Sequence, residues 1–360
     1  MRILIPILNF GRGGGNRVLS ELANNWVSLG HEVTFLCHLS SGDPYFPTCA
    51  KILWFNSHGE IVHENNSTYM GMTKQLLLQY SLLKALNKIK FGIDYIVANH
   101  FLTAWPVSMT KLIAKKIYYI QAYEVNHINN KTSFIKKFIL RRFIISTYKL
   151  NNLLKIVNSP IFYDYKEIKS YHFVPAGINL NIFYAKEIPT QYKKCIKIGA
   201  IGRIEPYKGT SYVVDAIRKL NQLGNERFHF ELHLAYTSVE IQDDFIYTVK
   251  PNNDRELSCF YRSLDILVAP GTVEYGAIHY PVIEAMACGV PVITTYYYPS
   301  CDLNSWMVSP HSAAEIVESV LKIANNYEKT IKKIEYAKNS AQEFEWEKVS
   351  KKFLDIMHKC

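Results

Sequence analysis

The sequence predicts an α/β protein of two similar units, each a parallel sheet wound by helices. Three observations carry this. Short apolar runs alternate with segments of helical period along most of the chain. The strand, glycine loop, helix, strand pattern of the N-terminus returns in the second half. The chain has 360 residues, 48% hydrophobic and 20% charged, which is too long for one ordinary core and suits two domains.

Each element follows from its residues. Residues 3–8 are an apolar run, ended by a loop from Gly11 to Gly15 that allows close backbone approach. Val18, Leu19, Leu22, Ala23, Trp26, Val27 and Leu29 recur at three- and four-residue spacing, the mark of an amphipathic helix. Gly30 suits its C-cap, and 33–37 is the next strand. Residues 95–98 and 117–120 read as further buried strands. In the second half, 196–201 is a strand, 202–209 a loop, 212–223 a helix and 228–234 a strand. The alternation continues through 257–263, 266–269, 281–288 and 292–294. Residues 184–190 have neither period, which puts the junction near 183–195 and the domains at 1–185 and 186–340, facing a cleft. A last helix, 341–357, carries Phe344, Trp346, Val349, Phe353, Leu354 and Ile356. It is expected to make the terminal segment 341–360 pack across the domain junction.

Composition removes several function classes. The seven cysteines are scattered, odd in number and without C-x-x-C, which argues against a disulfide framework or a zinc knuckle. No Asp-x-Asp and no His/Cys/carboxylate cluster at ligand spacing occurs, so no metal and no cofactor is expected. The opening apolar run is too short for a signal peptide, and no stretch reaches the roughly 18 apolar residues of a membrane span. A cytoplasmic protein is expected, or one on the inner face of a membrane. The net charge of +10 lies wholly in residues 1–190, with 21 Lys+Arg against 10 Asp+Glu. Such a half suits a nucleic acid, an anionic membrane or an acidic substrate. No nucleic-acid recognition motif accompanies it, and nucleic acid is not expected as a partner.

Three segments can carry chemistry. Gly11-Arg12-Gly13-Gly14-Gly15-Asn16 has the context of a dinucleotide fingerprint, but Asn16 or Val18 falls at its last position. The second strand also ends without a ribose-binding acid, which disfavours a nicotinamide or flavin enzyme. The loop is either a tight turn or a cradle whose N–H groups receive an anionic or sugar ligand. Gly202-Arg203-Ile204-Glu205-Pro206-Tyr207-Lys208-Gly209 sets two cations at a helix N-terminus. An Arg fork and a Lys point charge there suit two phosphoryl groups; solvated charges on a turn are the plain alternative. Glu284 stands early in the helix expected from about Val282, where a carboxylate suits a ribose diol.

Taken in order, these residues resemble the retaining nucleotide-sugar glycosyltransferases of family 4, whose GT-B fold is two facing Rossmann-like domains. Gly14-Gly15-Asn16-Arg17-Val18 through Gly30-His31-Glu32-Val33 looks like the family's first βαβ unit. Val174-Pro175-Ala176-Gly177-Ile178-Asn179, with Phe183, is similar to the signature ahead of its interdomain link. Gly202-Arg203 with Lys208-Gly209, and Glu284-Ala285-Met286-Ala287-Cys288-Gly289-Val290-Pro291-Val292, match its two donor motifs. The resemblance implies that Arg203 and Lys208 hold the donor diphosphate and Glu284 the ribose, with the base near 249–252. It makes Gly15 a donor-binding residue too. His279, Tyr280 and Pro281, in the place of the family's glycine-led turn, are read likewise. Glu274 corresponds to the first of the family's paired glutamates, at a longer spacing, and His100 to a histidine facing the donor sugar. These two are the catalytic candidates; Asn99 is the neighbouring alternative to His100. Gln121 and Glu124, at the end of the strand 117–120, are candidates for holding acceptor hydroxyls.

The expectation is therefore a retaining, metal-independent transfer from a nucleotide diphosphate-sugar, a UDP-sugar first, to a glycan or lipid-linked acceptor in bacterial surface-polysaccharide assembly. A nucleotide-sugar 2-epimerase and a non-catalytic sugar-nucleotide-binding subunit are the alternatives, and the segment from Glu284 to Val292 favours transfer. Residues 131–155 combine seven cations and no acid with Phe134, Ile135, Phe138, Ile139, Leu140, Phe143, Ile144 and Ile145. This pattern suits either peripheral contact with an anionic membrane or a pair of helices with solvated lysines.

Overall fold

In the computed structural model the described residues are 1–62, 75–128, 133–170, 172–185, 187, 194–203, 205–224, 226–237, 243–272 and 277–359. The chain divides into two compact units, Met1–Ala176 with Trp346–Cys360, and Gly177–Glu345.

The first unit is an eight-stranded sheet. Along the chain it comprises β1 (Arg2–Ile7), α1 (Gly14–Ser28), β2 (Glu32–His38), β3 (Lys51–Phe55) and β4 (Ile61–Val62). Then follow α2 (Gln75–Lys88), β5 (Tyr95–Ala98), α3 (Phe101–Met109), β6 (Lys115–Ile120), α4 (Phe134–Tyr148), β7 (Leu154–Val157) and β8 (His172–Phe173). The strand order is β4-β3-β2-β1-β5-β6-β7-β8, parallel except for the β3–β4 pair. The chain runs outward from β1 in one direction and then restarts at β5 in the other. Ligands collect at such a reversal, beyond the carboxyl ends of the two strands. β5 pairs with β1 only at Ile3 and Leu4, so Pro6, which has no N–H to give, lies beyond that pairing. The Asn99 side chain bridges the widening gap, donating to the Pro6 carbonyl at 2.7 Å.

The second unit holds β9 (Cys195–Ile201), α5 (Thr210–Gln222), β10 (His229–Ala235), β11 (Ile246–Val249), α6 (Asp254–Ser263) and β12 (Ile266–Ala269). It continues with α7 (Tyr280–Ala287), β13 (Val292–Thr294), β14 (Trp306–Met307), α8 (Ala313–Asn325) and α9 (Tyr327–Gln342). Its six strands are all parallel in the order β11-β10-β9-β12-β13-β14, with the reversal between β9 and β12. Both faces are covered, which is why these strands read as near-continuous apolar runs.

Two boundaries differ from the expectation. The break falls at Ala176/Gly177 and not near 185, because Ile178 and Phe183 are fully buried in the second unit's core. The Ile178 N–H donates to the Phe344 carbonyl at 2.7 Å. The last helix is α10 (Trp346–Lys359), separated from α9 by residues 343–345. It belongs to the first unit, where Phe353 packs edge-on against Trp26 of α1 and Tyr119 of β6. Its buried residues share one face, which packs against α1 and, through Phe353, against β6.

Candidate functional site

The second unit gathers its polar side chains beyond β9 and β12. Gly209, between β9 and α5, has φ +77°, and a Cβ there would stand 2.4 Å from the Pro270 carbonyl oxygen that follows β12. Only glycine lets the two ends of the reversal approach so closely. The Arg203 N–H donates to Thr210 Oγ1 at 3.0 Å, which ties the loop to the first turn of α5, and the Arg203 side chain is exposed. Lys208 ends a short 3-10 turn, Pro206–Lys208, with Nζ 5.2 Å from the centre of the Tyr207 ring.

His279 precedes α7 and joins this charge cluster. Its ring stacks on Tyr297, with centroids 4.5 Å apart and planes 13° from parallel. Its Nδ1 is buried and has no hydrogen-bond partner among the described residues. Burial above all, then the Lys208 and Arg203 charges, push its pKa down to about 3, so the ring is neutral. Pro281 lies in the first turn of α7, where its missing N–H costs nothing, and Tyr280 packs partly on the core.

Glu284 departs from its expected setting. It sits a full turn inside α7, 3% exposed, and its Oε2 accepts from the Tyr261 hydroxyl at 2.9 Å. A buried tyrosine hydroxyl therefore donates to this carboxylate. Of the stretch 249–252, Val249 is exposed, and the Asn252 amides donate to Glu256. Glu274 lies outside the described residues, as do Ile204 and Lys131.

Sequence reasoning missed Tyr236. It follows β10 with φ +62°, a conformation uncommon for an aromatic residue and worth noting at a strand end. Burial first, then the Glu284 charge, raise its hydroxyl pKa, with Asp254 and Glu256 adding and Arg203 opposing. Tyr236 therefore stands in the field of the same carboxylates and guanidinium. The only sequence signal was its place immediately after a strand.

The first unit brings Gly15, His100, Gln121 and Glu124 around one cavity of about 590 Å³, together with Asn9 and Asn99. A Cβ on Gly15 would stand 3.4 Å from Gln121 Oε1, an ordinary contact, which puts the glycine beside the amide; that Oε1 is buried without a partner among the described residues. His100 caps α3. Its Nδ1 accepts from the Leu102 N–H at 3.2 Å, which assigns the ring proton to Nε2, 3.6 Å from Glu124 Oε1.

Glu124 lines this cavity from an enclosed position. It is 8% exposed, and both carboxylate oxygens accept from the Phe101 N–H, at 3.0 and 3.2 Å. The Tyr118 and Tyr148 hydroxyls donate to Oε2 at 2.8 and 3.4 Å. Burial pushes its pKa up to about 7, against the pull of these donors. The carboxylate stands behind His100 and holds the start of α3. Asn99 is likewise committed to the Pro6 carbonyl. Among the described residues, no three His, Cys, Asp or Glu side chains gather as metal ligands would.

The comparisons with known proteins agree with this architecture. Residues 184–340 match the family described as Glycosyl transferases group 1. A probable sucrose-phosphate synthase of Thermosipho melanesiensis is 28% identical over 214 residues, 54% of this chain and 49% of the relative, so the match spans about half the length of that relative. The sucrose-phosphate synthase tll1590 of Thermosynechococcus elongatus superposes with TM-score 0.68 at 17% identity, over 99% of this chain and 98% of the other. Anabaena Alr3699/HepE, solved in complex with UDP-glucose, superposes with TM-score 0.69 at 14% identity over 100% of both chains. The two parallel-sheet, Rossmann-like units share the fold of these solved glycosyltransferase structures, and residues 184–340 match the Glycosyl transferases group 1 family.

Proposed function

We propose that the protein is a cytoplasmic, retaining glycosyltransferase of family 4 that moves a sugar from a UDP-sugar to a glycan or lipid-linked acceptor in bacterial surface-polysaccharide assembly. One observation carries the reading: at the strand reversal of the unit that matches the group 1 family, His279 lies in the field of Arg203 and Lys208, and Tyr236 in that of Arg203 and buried Glu284. Anabaena HepE, solved in complex with UDP-glucose, favours UDP-glucose as the first donor to try.

In this reading Arg203 and Lys208 take the diphosphate and Glu284 the ribose, with the exposed Tyr236 ring offering a face to the base. The neutral His279 ring adds no charge beside the two cations and lends its buried Nδ1 to the donor. The bond from the sugar's anomeric carbon to the phosphate oxygen breaks, and that oxygen takes the electron pair. The two cations stabilise the developing negative charge without a divalent metal. The acceptor hydroxyl attacks the face the diphosphate leaves and passes its proton to the departing phosphate. Glu274 and His100 act at the donor sugar, Gly15 lets the donor approach the first unit's backbone, and Gln121 holds acceptor hydroxyls.

Calorimetry with UDP, UDP-glucose and GDP tests the donor reading. UDP is expected to bind more tightly than GDP, and slow hydrolysis of UDP-glucose without acceptor separates an enzyme from a binding subunit. Binding of neither nucleotide overturns the proposal. Turnover is expected to survive a chelator of divalent cations; loss that Mg²⁺ or Mn²⁺ restores overturns the metal-free step.

A further inference from the structure

Helix α4 is apolar on two opposite sides. Leu140, Phe143, Ile144 and Tyr148 turn inward, Ile144 and Tyr148 fully buried and the other two packed partly on the first unit's core. Phe134, Ile135, Phe138 and Ile139 are 83%, 71%, 54% and 61% exposed. At 3.6 residues per turn these four fall on an arc about 140° wide, centred opposite the inward stripe. Single exposed apolar side chains are ordinary; four on consecutive turns make a patch that marks an interaction surface.

The charge around the patch selects what covers it. Lys136, Arg141 and Arg142 are exposed beside it, Lys137 is half-buried, and the Arg142 guanidinium lies 5.4 Å from the centre of the Phe138 ring. Between Glu124 and Asp164 the sequence has no acidic residue. A second copy of the helix would bring the same positive charge and be repelled, whereas an anionic surface with an apolar interior complements both properties at once.

We propose that α4 docks the protein on an anionic lipid bilayer. Phe134, Ile135, Phe138 and Ile139 enter at the acyl boundary while the four cations meet the headgroups. The same helix walls the cavity through Leu140 and Ile144. Docking through α4 therefore ties that cavity to the membrane surface and suits a lipid-linked acceptor. The identity of the acceptor rests on the function proposed above; the docking does not.

The full chain is sedimented at low salt, without nucleotide, with vesicles of phosphatidylcholine or of equal parts phosphatidylcholine and phosphatidylglycerol. Recovery is expected with the anionic vesicles alone, and is reversed by high salt. Changing Lys136, Lys137, Arg141 and Arg142 together to Ser is expected to weaken partitioning by roughly two orders of magnitude or more. Phe134→Ser with Phe138→Ser weakens it as well, and leaves the melting temperature near that of the parent because neither ring packs on the core. Equal recovery with both vesicles, or a quadruple variant that sediments like the parent, overturns the proposal. So does self-association that the Phe134/Phe138 pair abolishes in a protein that binds no vesicle. UDP calorimetry reads the donor site separately, so either proposal can fail without the other.

Discussion

Individual side chains decide the chemistry, and two sets of them invite direct tests. If Arg203 and Lys208 hold a diphosphate, Arg203→Ala and Lys208→Ala each lose a charge-assisted bond. UDP affinity is expected to fall by about 1.5–3 kcal/mol per substitution. Both side chains sit on a surface turn, so the melting temperature should hold; unchanged affinity in both variants removes the clamp. Glu124 makes a prediction about pH. Its folded pKa of about 7 lies above the ordinary carboxyl value, so the folded state binds the proton more tightly than the unfolded state does. The cost of burying its charge is absent below about pH 4.5 and accumulates as pH rises through about 7. Over that window it reaches about 3 kcal/mol. Glu124→Gln keeps an acceptor for the Phe101 N–H and removes the titration. The parent is expected to lose stability against this variant between acid and neutral pH, measured by denaturant unfolding across that range. Parallel pH profiles would contradict the buried, shifted carboxyl.

Loops and helix ends carry the next level. The turn before α5 works because Gly209 combines φ +77° with a backbone approach that a Cβ would block at 2.4 Å. Gly209→Ala is therefore strained twice and is expected to cost about 1–3 kcal/mol. It should also loosen the hydrogen bond from Arg203 N–H to Thr210, lowering UDP affinity along with the melting temperature. By contrast, Gly13 and Gly14 would meet nothing within 4 Å, and Ala at either should leave stability nearly unchanged. A variant at Gly209 that melts and binds like the parent would show that the loop does not depend on its glycine.

Across the whole molecule, the chain leaves the first unit at Ala176, builds the second, and returns through α10. That return closes the first unit's core. Phe353 is fully buried, with its ring 5.1 Å from Trp26 and 5.2 Å from Tyr119, and the Tyr95 hydroxyl donates to the Met357 carbonyl at 2.7 Å. Phe353→Ala is expected to destabilise the first unit by about 3–5 kcal/mol. Phe353 is not part of the second unit's cores, so if Gly177–Glu345 binds UDP as proposed, that binding should persist in the variant at a temperature where the first unit is weakened. Calorimetric melting with and without UDP reads both effects, and a loss of nucleotide binding in step with the first transition would argue against separate units.

Sequence by itself determined the two βαβ series, because buried parallel strands read as apolar runs and the glycine loops between strand and helix are local requirements of the backbone. It also singled out Arg203, Lys208 and Glu284, since a cation pair at a helix entry and a carboxylate in an apolar helix stand out from their neighbours. Only the tertiary structure decided which groups are buried and by what. That Phe101, Tyr118 and Tyr148 enclose the Glu124 carboxylate is not legible in the sequence around it. Tyr236 had no signal beyond its position, because φ and field come from the packed strand end. The unit boundary moved because Ile178 and Phe183 find their partners far along the chain, and α10 found its home on α1 for the same reason. Periodicity is written in neighbouring residues, whereas burial depends on which distant surface arrives to cover a face. The outer side of α4 is apolar in sequence, but only the structure shows that none of the described residues covers it.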